Sequence, residues 1–189
     1  MTPMTEVLGN LGPLRTLAGN WEGQKGNDVA PDEKRGVETN KFRERITFDP
    51  FGPVGNHEQV LWGLRYTTTA WRLGEPDPFH EESGYWMWDS KERQVMRCFI
   101  VPRGITVLAG GTVDPAAKKL VLAAEVGSPT YGICSNPFLD REFRTIRYDL
   151  TVNILSDDSI SYEEDTVMLM KGRPDLFHHK DGNTLTRVK

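Results

Sequence analysis

The sequence predicts an all-β fold, a ten-stranded antiparallel up-and-down barrel. Three observations favour it. From residue 37 onward, apolar and polar residues alternate with a period of two, as they do in half-buried strands. Turn-forming segments separate these stretches at short intervals, which indicates hairpin connections. A meander of this length hides its edge strands most simply by closing on itself, and such a barrel can enclose a ligand cavity.

The predicted strands follow one another along the chain. In "IRYDLTVNI", Tyr148, Leu150 and Val152 share one face, while Arg147 and Asp149 share the other. The ten candidate strands are "NWEGQ", "NKFRERITF", "EQVLWGLRYTTTAWRL", "ESGYWMWD", "RQVMRCFIV", "GITVLAGGTV", "KLVLAAEV", "IRYDLTVNI", "SISYEEDTVMLM" and "NTLTRVK". Predicted turns or loops include "NDVAPDEKRG", "DPFGPVGN", "GEPDP", "DSKE", "DPAAK", "SDDS" and "HKDG", and the longer "GSPTYGICSNPFLDRE" is expected to fold over a barrel rim.

One short helix is predicted at residues 11–18, where leucines recur every three residues and a proline suits the first turn. Gly19 ends this helix. We expect its leucine-rich face to cover one end of the barrel. Residues 1–10 are expected to form a flexible leader, and residues 1–189 a single β-barrel domain.

Composition and charge exclude several classes of protein. The chain is 38% hydrophobic and 26% charged, as expected of a folded globular protein, and its net charge of -4 offers no general attraction to nucleic acid or to an anionic membrane. It shows neither a signal peptide nor a window that could span a bilayer, which predicts a cytoplasmic protein. Cys98 and Cys134 are too few for a disulfide scaffold and lack C-x-x-C spacing.

Most motifs of hydrolases and nucleotide-binding enzymes are missing. The four histidines show no H-E-x-x-H spacing, and there is no G-x-S-x-G elbow or phosphate-binding glycine loop. The doublets Glu81-Glu82 and Glu163-Glu164 each direct one carboxylate to each face of a strand. One solvated and one interior carboxylate per doublet is a better interpretation than a glycosidase acid pair.

The stretch "PDPFHEESGYWMWD" places a histidine at the start of an aromatic strand. His80, Glu82, Gly84 and Trp86 share one face of that strand if alternation is unbroken. On these residues alone, His80 could line a cavity, hold a metal or cap a loop. The tryptophans, including Trp21 near the first strand, are expected to fill the core or the barrel wall.

Four stretches together resemble one known family: "AGNWEGQKG", "FHEESGYW", "VPRGIT" and "FHHKDGNTLTRV". In this order they are similar to the nitrobindin family of haem-binding β-barrels, which have a lipocalin-like or fatty-acid-binding-protein-like shape. The resemblance implies a b-type haem near one open end, with iron held by one histidine shortly before the last strand. His179 is the best match for that ligand and His178 the second. Phe79 and His80 would lie on the distal side of the haem.

The resemblance also implies an activity, the isomerisation of peroxynitrite to nitrate, together with binding of nitric oxide. A haem-free carrier or sensor of a small hydrophobic ligand, such as a fatty acid, is the alternative. A charged barrel interior would weaken the haem hypothesis and favour a more polar ligand. "KDGN", after His179, is expected to add a turn before the last strand and so to affect the orientation of the imidazole. The sequence does not distinguish a monomer from a homodimer.

Overall fold

The structure is a computed structural model that describes residues 2–189. It contains two short α-helices, one 3-10 helix and eleven strands. The helices are α1 Met4–Asn10, the 3-10 helix Gly12–Leu17 and α2 Pro137–Glu142. The strands are β1 Gly19–Pro31, β2 Val37–Gly55, β3 Val60–Arg72, β4 His80–Asp89, β5 Gln94–Val101, β6 Ile105–Thr112, β7 Lys119–Val126, β8 Gly132–Ser135, β9 Phe143–Ser156, β10 Ser159–Met170 and β11 Phe177–Arg187.

The strands close into one barrel in the order β1-β11-β10-β9-β7-β8-β6-β5-β4-β3-β2. The all-β barrel prediction is therefore confirmed, but the count of ten strands was wrong. The eleventh strand, β8, comes from the segment expected to cross a rim as a loop. It pairs antiparallel with β6 and parallel with β7, where β6 and β7 meet directly only at Gly110 and Ala123. Four residues are too few to display a period of two.

The N-terminal segment covers one end of the barrel, as the sequence predicted. Leu11, Leu14 and Leu17 are fully buried there. Gly12 adopts a φ of 52°, and a Cβ at this position would lie 2.4 Å from the indole nitrogen of Trp88. The 3-10 helix can therefore sit directly on the barrel floor. Residues 4–10, expected as a flexible leader, form α1.

Trp21 fills the closed end of the barrel beneath this helix. It is completely buried, and its indole nitrogen donates a hydrogen bond to the carbonyl of Leu17 at 2.7 Å. The guanidinium of Arg187 covers the ring at 4.4 Å and donates to the carbonyls of Ala18 and Thr16. The first and last strands are thereby held to the helix that closes the barrel.

The opposite end of the barrel is open, and its edge is formed by longer strands than the sequence predicted. β1 continues to Pro31 through a segment predicted as a loop, which leaves residues 32–36 as the hairpin tip. Arg35 in that tip binds the carboxylate of Glu142 at 2.9 Å and the carbonyl of Lys171 at 2.6 Å. The tip is therefore tied to α2 and to the β10–β11 turn.

The predicted turn at "HKDG" was wrong, because residues 179–182 are part of β11. Gly182 lies opposite Glu163, and a Cβ at this glycine would be 2.7 Å from the carbonyl of Tyr162. Its lack of a side chain allows a close strand contact here instead of a turn. None of the helices within residues 2–189 has both the length and the apolar character needed to cross a membrane.

Candidate functional site

The open end leads into a cavity of about 950 Å³, a volume in the range of small-molecule and cofactor sites. Strand alternation decides which side chains enter it, since every second residue of each strand points inward. Near the open end, apolar and charged side chains both line the walls. The apolar side chains there are Phe42, Ala70, Phe79, Val101, Ile105, Leu139, Phe143 and Met168.

His179, the third residue of β11, lines this cavity near its open end. Its Nε2 lies 2.8 Å from Oδ1 of Asp28 on the neighbouring strand β1, and Asp28 is only 3% exposed. Asn40 donates to the other carboxylate oxygen at 3.2 Å. When Nε2 donates its proton to this carboxylate, Nδ1 carries the free lone pair. Within residues 2–189, Nδ1 of His179 has no hydrogen-bond partner.

His178 occupies a different environment, because adjacent residues of a strand point to opposite faces. Its ring is exposed on the outside of the barrel and contacts Asp165 at 2.8 Å. Since residues 180–183 remain in β11, no turn rotates the strand between His179 and Leu185. Of the two adjacent histidines, only His179 faces the cavity.

His80 and Phe79 lie on the far side of the same opening. Counted round the barrel through β1, β2 and β3, β4 is four strands from β11 in a ring of eleven, so His80 and His179 line nearly opposite walls. Nε2 of His80 is 3.8 Å from the Glu82 carboxylate. Burial lowers the pKa of His80, but this carboxylate outweighs burial and raises it. Phe79 packs edge-on against Phe42.

A charged layer crosses the cavity below these residues, centred on Arg97. Its guanidinium donates to the carboxylates of Glu82 and Glu164, to the hydroxyl of Tyr148, and to that of Tyr66 at 3.0 Å. Burial alone would raise the pKa of Glu82, but the guanidinium and hydrogen bonds lower it to about 2. The interior carboxylates of both glutamate doublets thus share one arginine, and neither doublet is an acid pair of its own.

A second acidic group faces the cavity from β2 and β11. Glu44, 3% exposed, accepts hydrogen bonds from the hydroxyl of Tyr162 at 3.0 Å and the amide of Asn183 at 2.8 Å. The Glu44 carboxyl reaches Asn183 across β1 at Gly23. A Cβ at Gly23 would lie 2.6 Å from the Asn183 amide, so a larger residue would block this contact. Burial raises the pKa of Glu44 to about 7, and burial also raises the pKa of Asp181 well above its ordinary value.

Taken together, the cavity wall is strongly acidic. Nine carboxyl groups line it against three guanidinium groups. The carboxyl groups belong to Asp28, Asp32, Glu33, Glu38, Glu44, Glu75, Glu82, Glu164 and Asp181, and the guanidinium groups to Arg72, Arg97 and Arg103. The interior is therefore charged, the condition under which the sequence analysis expected the haem hypothesis to be weakened and a more polar ligand to be favoured.

Sequence reasoning expected His80 and His179 at the cavity and one interior carboxylate in each glutamate doublet, but it missed Arg97 and Glu44. The signal was present in the alternation, since Glu44 falls between the inward apolar positions 42 and 46, and Arg97 between 95 and 99. Asp28 was assigned to a loop. Within residues 2–189, no three His, Cys, Asp or Glu side chains are grouped as a metal-ion site would require. Iron in a porphyrin, in contrast, can be held with a single imidazole.

The barrel is similar to known structures. Protein Rv2717c from M. tuberculosis superposes with a TM-score of 0.66 and 23% identity, covering 97% of this chain and 98% of that one. The S-type phycobiliprotein lyase CPES from Guillardia theta gives 0.51 and 8%, with coverage of 100% and 99%. Both likenesses show the fold alone. No sequence among curated proteins matches the chain.

A family model provides the stronger relationship. The model described as "THAP4-like, heme-binding beta-barrel domain" matches residues 10–187. The match confirms the resemblance to haem-binding barrels that four sequence stretches indicated. Since it spans nearly the whole chain, this protein belongs to the THAP4-like family of heme-binding beta-barrel domains.

Proposed function

We propose that this protein binds haem b in the open half of the barrel, where His179 would be the residue that holds its iron. The observation that carries the proposal is the Asp28–His179 pair in the cavity wall. A histidine that ligates a metal usually donates its other ring proton to a carboxylate or carbonyl, which fixes the tautomer and makes the ligating nitrogen more basic. Nε2 of His179 makes such a contact, and its Nδ1 keeps a free lone pair.

The residues round the opening fit a porphyrin. Phe42, Phe79, Phe143 and Met168 are among the apolar side chains that line it and would cover the faces and edge of a flat macrocycle. Propionate groups would remain at the open end, in contact with water. Bound haem would supply an iron centre for isomerising peroxynitrite to nitrate and for binding nitric oxide.

His80 would act on the side of the cavity opposite His179. Its pKa is raised because the neighbouring Glu82 carboxylate stabilises the protonated ring. A protonated imidazole at this position can donate a hydrogen bond to an anionic small molecule, while Phe79 limits the space beside it. The proposed role of His80 is therefore to orient a reactant and to hold a proton near it.

The acidic wall favours a positive charge in the cavity. The two negative charges of Glu82 and Glu164 exceed the single positive charge of Arg97. The Asp28 carboxylate, which contacts His179, adds another negative group. In a low-dielectric interior, such negative charges stabilise the more oxidised, more positive state of a bound metal centre. We therefore propose that the ferric form is the resting form.

The alternative, a haem-free carrier of fatty acids, is supported by one observation, a guanidinium in the cavity wall that has no ion pair. A fatty-acid carboxylate requires an available cation in the cavity. The deep guanidinium of Arg97 is already bound by Glu82 and Glu164, and at the opening Arg72 contacts Glu38 at 3.3 Å. Arg103, the third guanidinium that lines the cavity, forms no ion pair within residues 2–189. The excess of carboxyl groups disfavours a carboxylate that lies deep in the cavity, but not one that stays at the open end in contact with water.

Titration of the purified protein with hemin tests the proposal, with the Soret absorption as readout. We expect His179→Ala to weaken hemin binding more than loss of the carboxylate behind it, which costs about tenfold to a hundredfold. Added free imidazole should restore the spectrum. His178→Ala is the matched control, because this neighbouring ring is exposed on the outer face. If His179→Ala and the wild type bound hemin with equal affinity and equal spectra, the axial role would be disproved.

The activity is tested separately, by following the decay of peroxynitrite in the presence of hemin-loaded protein. We expect His80→Ala to slow the decay while leaving hemin affinity close to that of the wild type. His80→Gln should restore part of the rate, because its amide can also donate a hydrogen bond. An unchanged rate in His80→Ala would contradict the orienting role.

A further inference from the structure

The opening of the cavity has an acidic side and, opposite it, a side with an unpaired cation. The acidic side is formed by β1, β2, β3 and the residues that follow these strands. The carboxyl groups there belong to Asp28, Asp32, Glu33, Glu38 and Glu75. The turn between β5 and β6, residues 102–104, lies opposite, because β6 is five strands from β1 in a ring of eleven. Among the described residues 98–144, no carboxyl group lines the cavity, but Arg103 does.

Arg103 differs from the other two arginines of the cavity wall. Two carboxylates hold the guanidinium of Arg97, and that of Arg72 contacts Glu38 at 3.3 Å. The guanidinium of Arg103 forms no ion pair and no hydrogen bond within the part of the chain that the structure describes, and the residue is exposed at the opening. It is therefore the cation of this wall that is available to a ligand.

The backbone that carries this side chain is held in place by contacts with α2. The carbonyl of Arg103 accepts a hydrogen bond from the side-chain amide of Asn136 at 2.6 Å, and the carbonyl of Gly104 accepts one from the backbone amide of Asn136 at 2.9 Å. The side-chain oxygen of Asn136 caps α2 by accepting from the amides of Phe138 and Leu139. The turn therefore presents a free guanidinium from a fixed backbone.

The side chains next to Arg103 in the cavity wall are apolar. They are Val101, Ile105, Leu139 and Phe143. A ligand with an apolar body and a terminal carboxylate fits this arrangement, because the body is buried against these side chains while the guanidinium binds the carboxylate through two parallel hydrogen bonds. On the acidic side of the opening, the same carboxylate would meet groups of its own charge.

We propose that Arg103 binds a carboxylate of the cavity's ligand at the open end and thereby orients the ligand, with this carboxylate toward the β5–β6 turn and away from β1 and β2. For haem the carboxylate is that of a propionate, so the inference deepens the function proposed above and rests on it for the identity of the ligand. It depends neither on His179 nor on iron. The same chemistry would hold the carboxylate of a fatty acid, the ligand of the alternative function.

Fluorescence titration with protoporphyrin IX, which contains no iron, tests the proposal against its dimethyl ester, in which both carboxylates are neutralised. We expect Arg103→Gln to weaken binding of the acid about fivefold at low salt, because it removes a charge-assisted contact at an exposed site, and to leave binding of the ester unchanged. The effect on the acid should shrink as salt screens the charges. Equal binding of the acid by both proteins, or equal weakening of acid and ester, would overturn the proposal.

Further variants separate the anchor from net charge and from iron ligation. Arg65→Gln is the matched control, since Arg65 is also exposed and forms no ion pair among the described residues, but lies on the outer face of β3. It should leave both affinities unchanged. Arg103→Lys should recover part of the loss, because lysine keeps the charge but not the paired donors. His179→Ala should retain the effect of Arg103→Gln on the acid, so failure of the iron ligand and failure of the anchor give different results.

Hexadecanoate distinguishes the two sources of the carboxylate. Its dissociation constant is obtained by competition with protoporphyrin IX. This constant should rise about fivefold in Arg103→Gln if the anchor also holds fatty acids. An equal constant in the variant and the wild type would overturn the anchor for that ligand.

Discussion

Nε2 of His179 lies 2.8 Å from Oδ1 of Asp28, so a carboxylate from β1 stands directly behind an imidazole from β11. The contact joins two residues at opposite ends of the chain, across the strand pair that closes the barrel. Asn40 on β2 holds the second carboxylate oxygen, so that three adjacent strands fix the orientation of one ring. Barrel closure and the geometry of the candidate ligand thus depend on the same strands.

Removing this carboxylate should weaken haem binding without removing the ligand. We expect Asp28→Ala to lower the affinity for hemin by about tenfold to a hundredfold, because the ring loses its orientation and Nδ1 becomes less basic. Asp28→Asn should have a smaller effect, since its amide oxygen still accepts the Nε2 proton but carries no charge. Hemin transfer to excess apomyoglobin measures the rate of loss for each variant.

The matched control is Asp165→Asn, which breaks the equivalent carboxylate contact of the exposed His178 on the outer face. Its rate of hemin loss should equal that of the wild type. An equal effect of Asp165→Asn and Asp28→Asn would show that the carboxylate behind His179 has no special role.

Arg97 should be essential for the stability of the barrel. It is 5% exposed and compensates two buried carboxylates, those of Glu82 and Glu164. Breaking a buried ion pair by removing one partner costs about 3 to 5 kcal/mol, because the remaining charge stays buried and unpaired. We expect Arg97→Met to lower the free energy of unfolding by at least this amount, measured by urea denaturation at pH 8.

The triple variant Glu82→Gln, Arg97→Met, Glu164→Gln separates charge from packing. It removes all three charges and keeps side chains of similar size, so most of the lost stability should return. If the triple variant were as unstable as Arg97→Met alone, the loss would come from packing round the guanidinium. Far-UV circular dichroism verifies that the barrel is retained.

Much of the fold follows from the sequence, because alternation with a period of two is a local property of each strand. The inward row Tyr148, Leu150 and Val152 was predicted and is buried. The limits lie at strand ends. Residues 180–183 contain a turn signal, yet Gly182 stays in β11 because β10 packs closely against it. The residues around Gly182 do not themselves reveal that β10 will pair with them, so a turn was predicted where a strand forms.

The site was only partly predictable for a similar reason. Alternation is sufficient to place His80 and His179 on inward faces once the strand bounds are known. The contact between His179 and Asp28, in contrast, spans 151 positions and depends on the register between β1 and β11. No pattern within either segment encodes that register. The single arginine shared by two glutamates likewise becomes visible only when β4, β5 and β10 come together.

The hairpin tip, residues 32–36, should open more easily without Arg35. This side chain binds Glu142 and the carbonyl of Lys171, and it lies over the Phe143 ring at 4.7 Å. We expect Arg35→Ala to accelerate amide hydrogen exchange in the tip and in residues 171–176. The contact is partly exposed, so global stability should fall by less than about 1 kcal/mol. Hydrogen-exchange mass spectrometry measures the local change.

The control for the tip is Arg141→Ala. Arg141 binds the same Glu142 carboxylate at 3.0 Å but belongs to the same helix, α2, and does not bridge to the tip. Exchange in residues 32–36 should remain at the wild-type rate in this variant. Equal acceleration in both variants would mean that the charge of Glu142, and not the bridge, limits opening of the tip.

Glu44 should make the stability of the protein depend on pH. Its pKa is raised from 4.5 to about 7 by burial, so the folded state binds the proton more tightly than the unfolded state. The stability from this group is fully present below pH 4.5 and is lost as pH rises through 7. Glu44→Gln cannot lose that proton. At pH 8 we expect it to exceed the wild type by up to about 3 kcal/mol.

Urea unfolding at pH 4.5, 6 and 8 measures the difference in free energy of unfolding between Glu44→Gln and the wild type. This difference should be near zero at the lowest pH and largest at the highest. Glu163→Gln, on the outer face of β10, controls for the loss of one negative charge from the whole protein. A wild type that is more stable than Glu44→Gln at pH 8 would contradict the prediction, because it would show that the ionised carboxylate is stabilised by a partner. Within residues 2–189 only neutral groups, Tyr162 and Asn183, contact it.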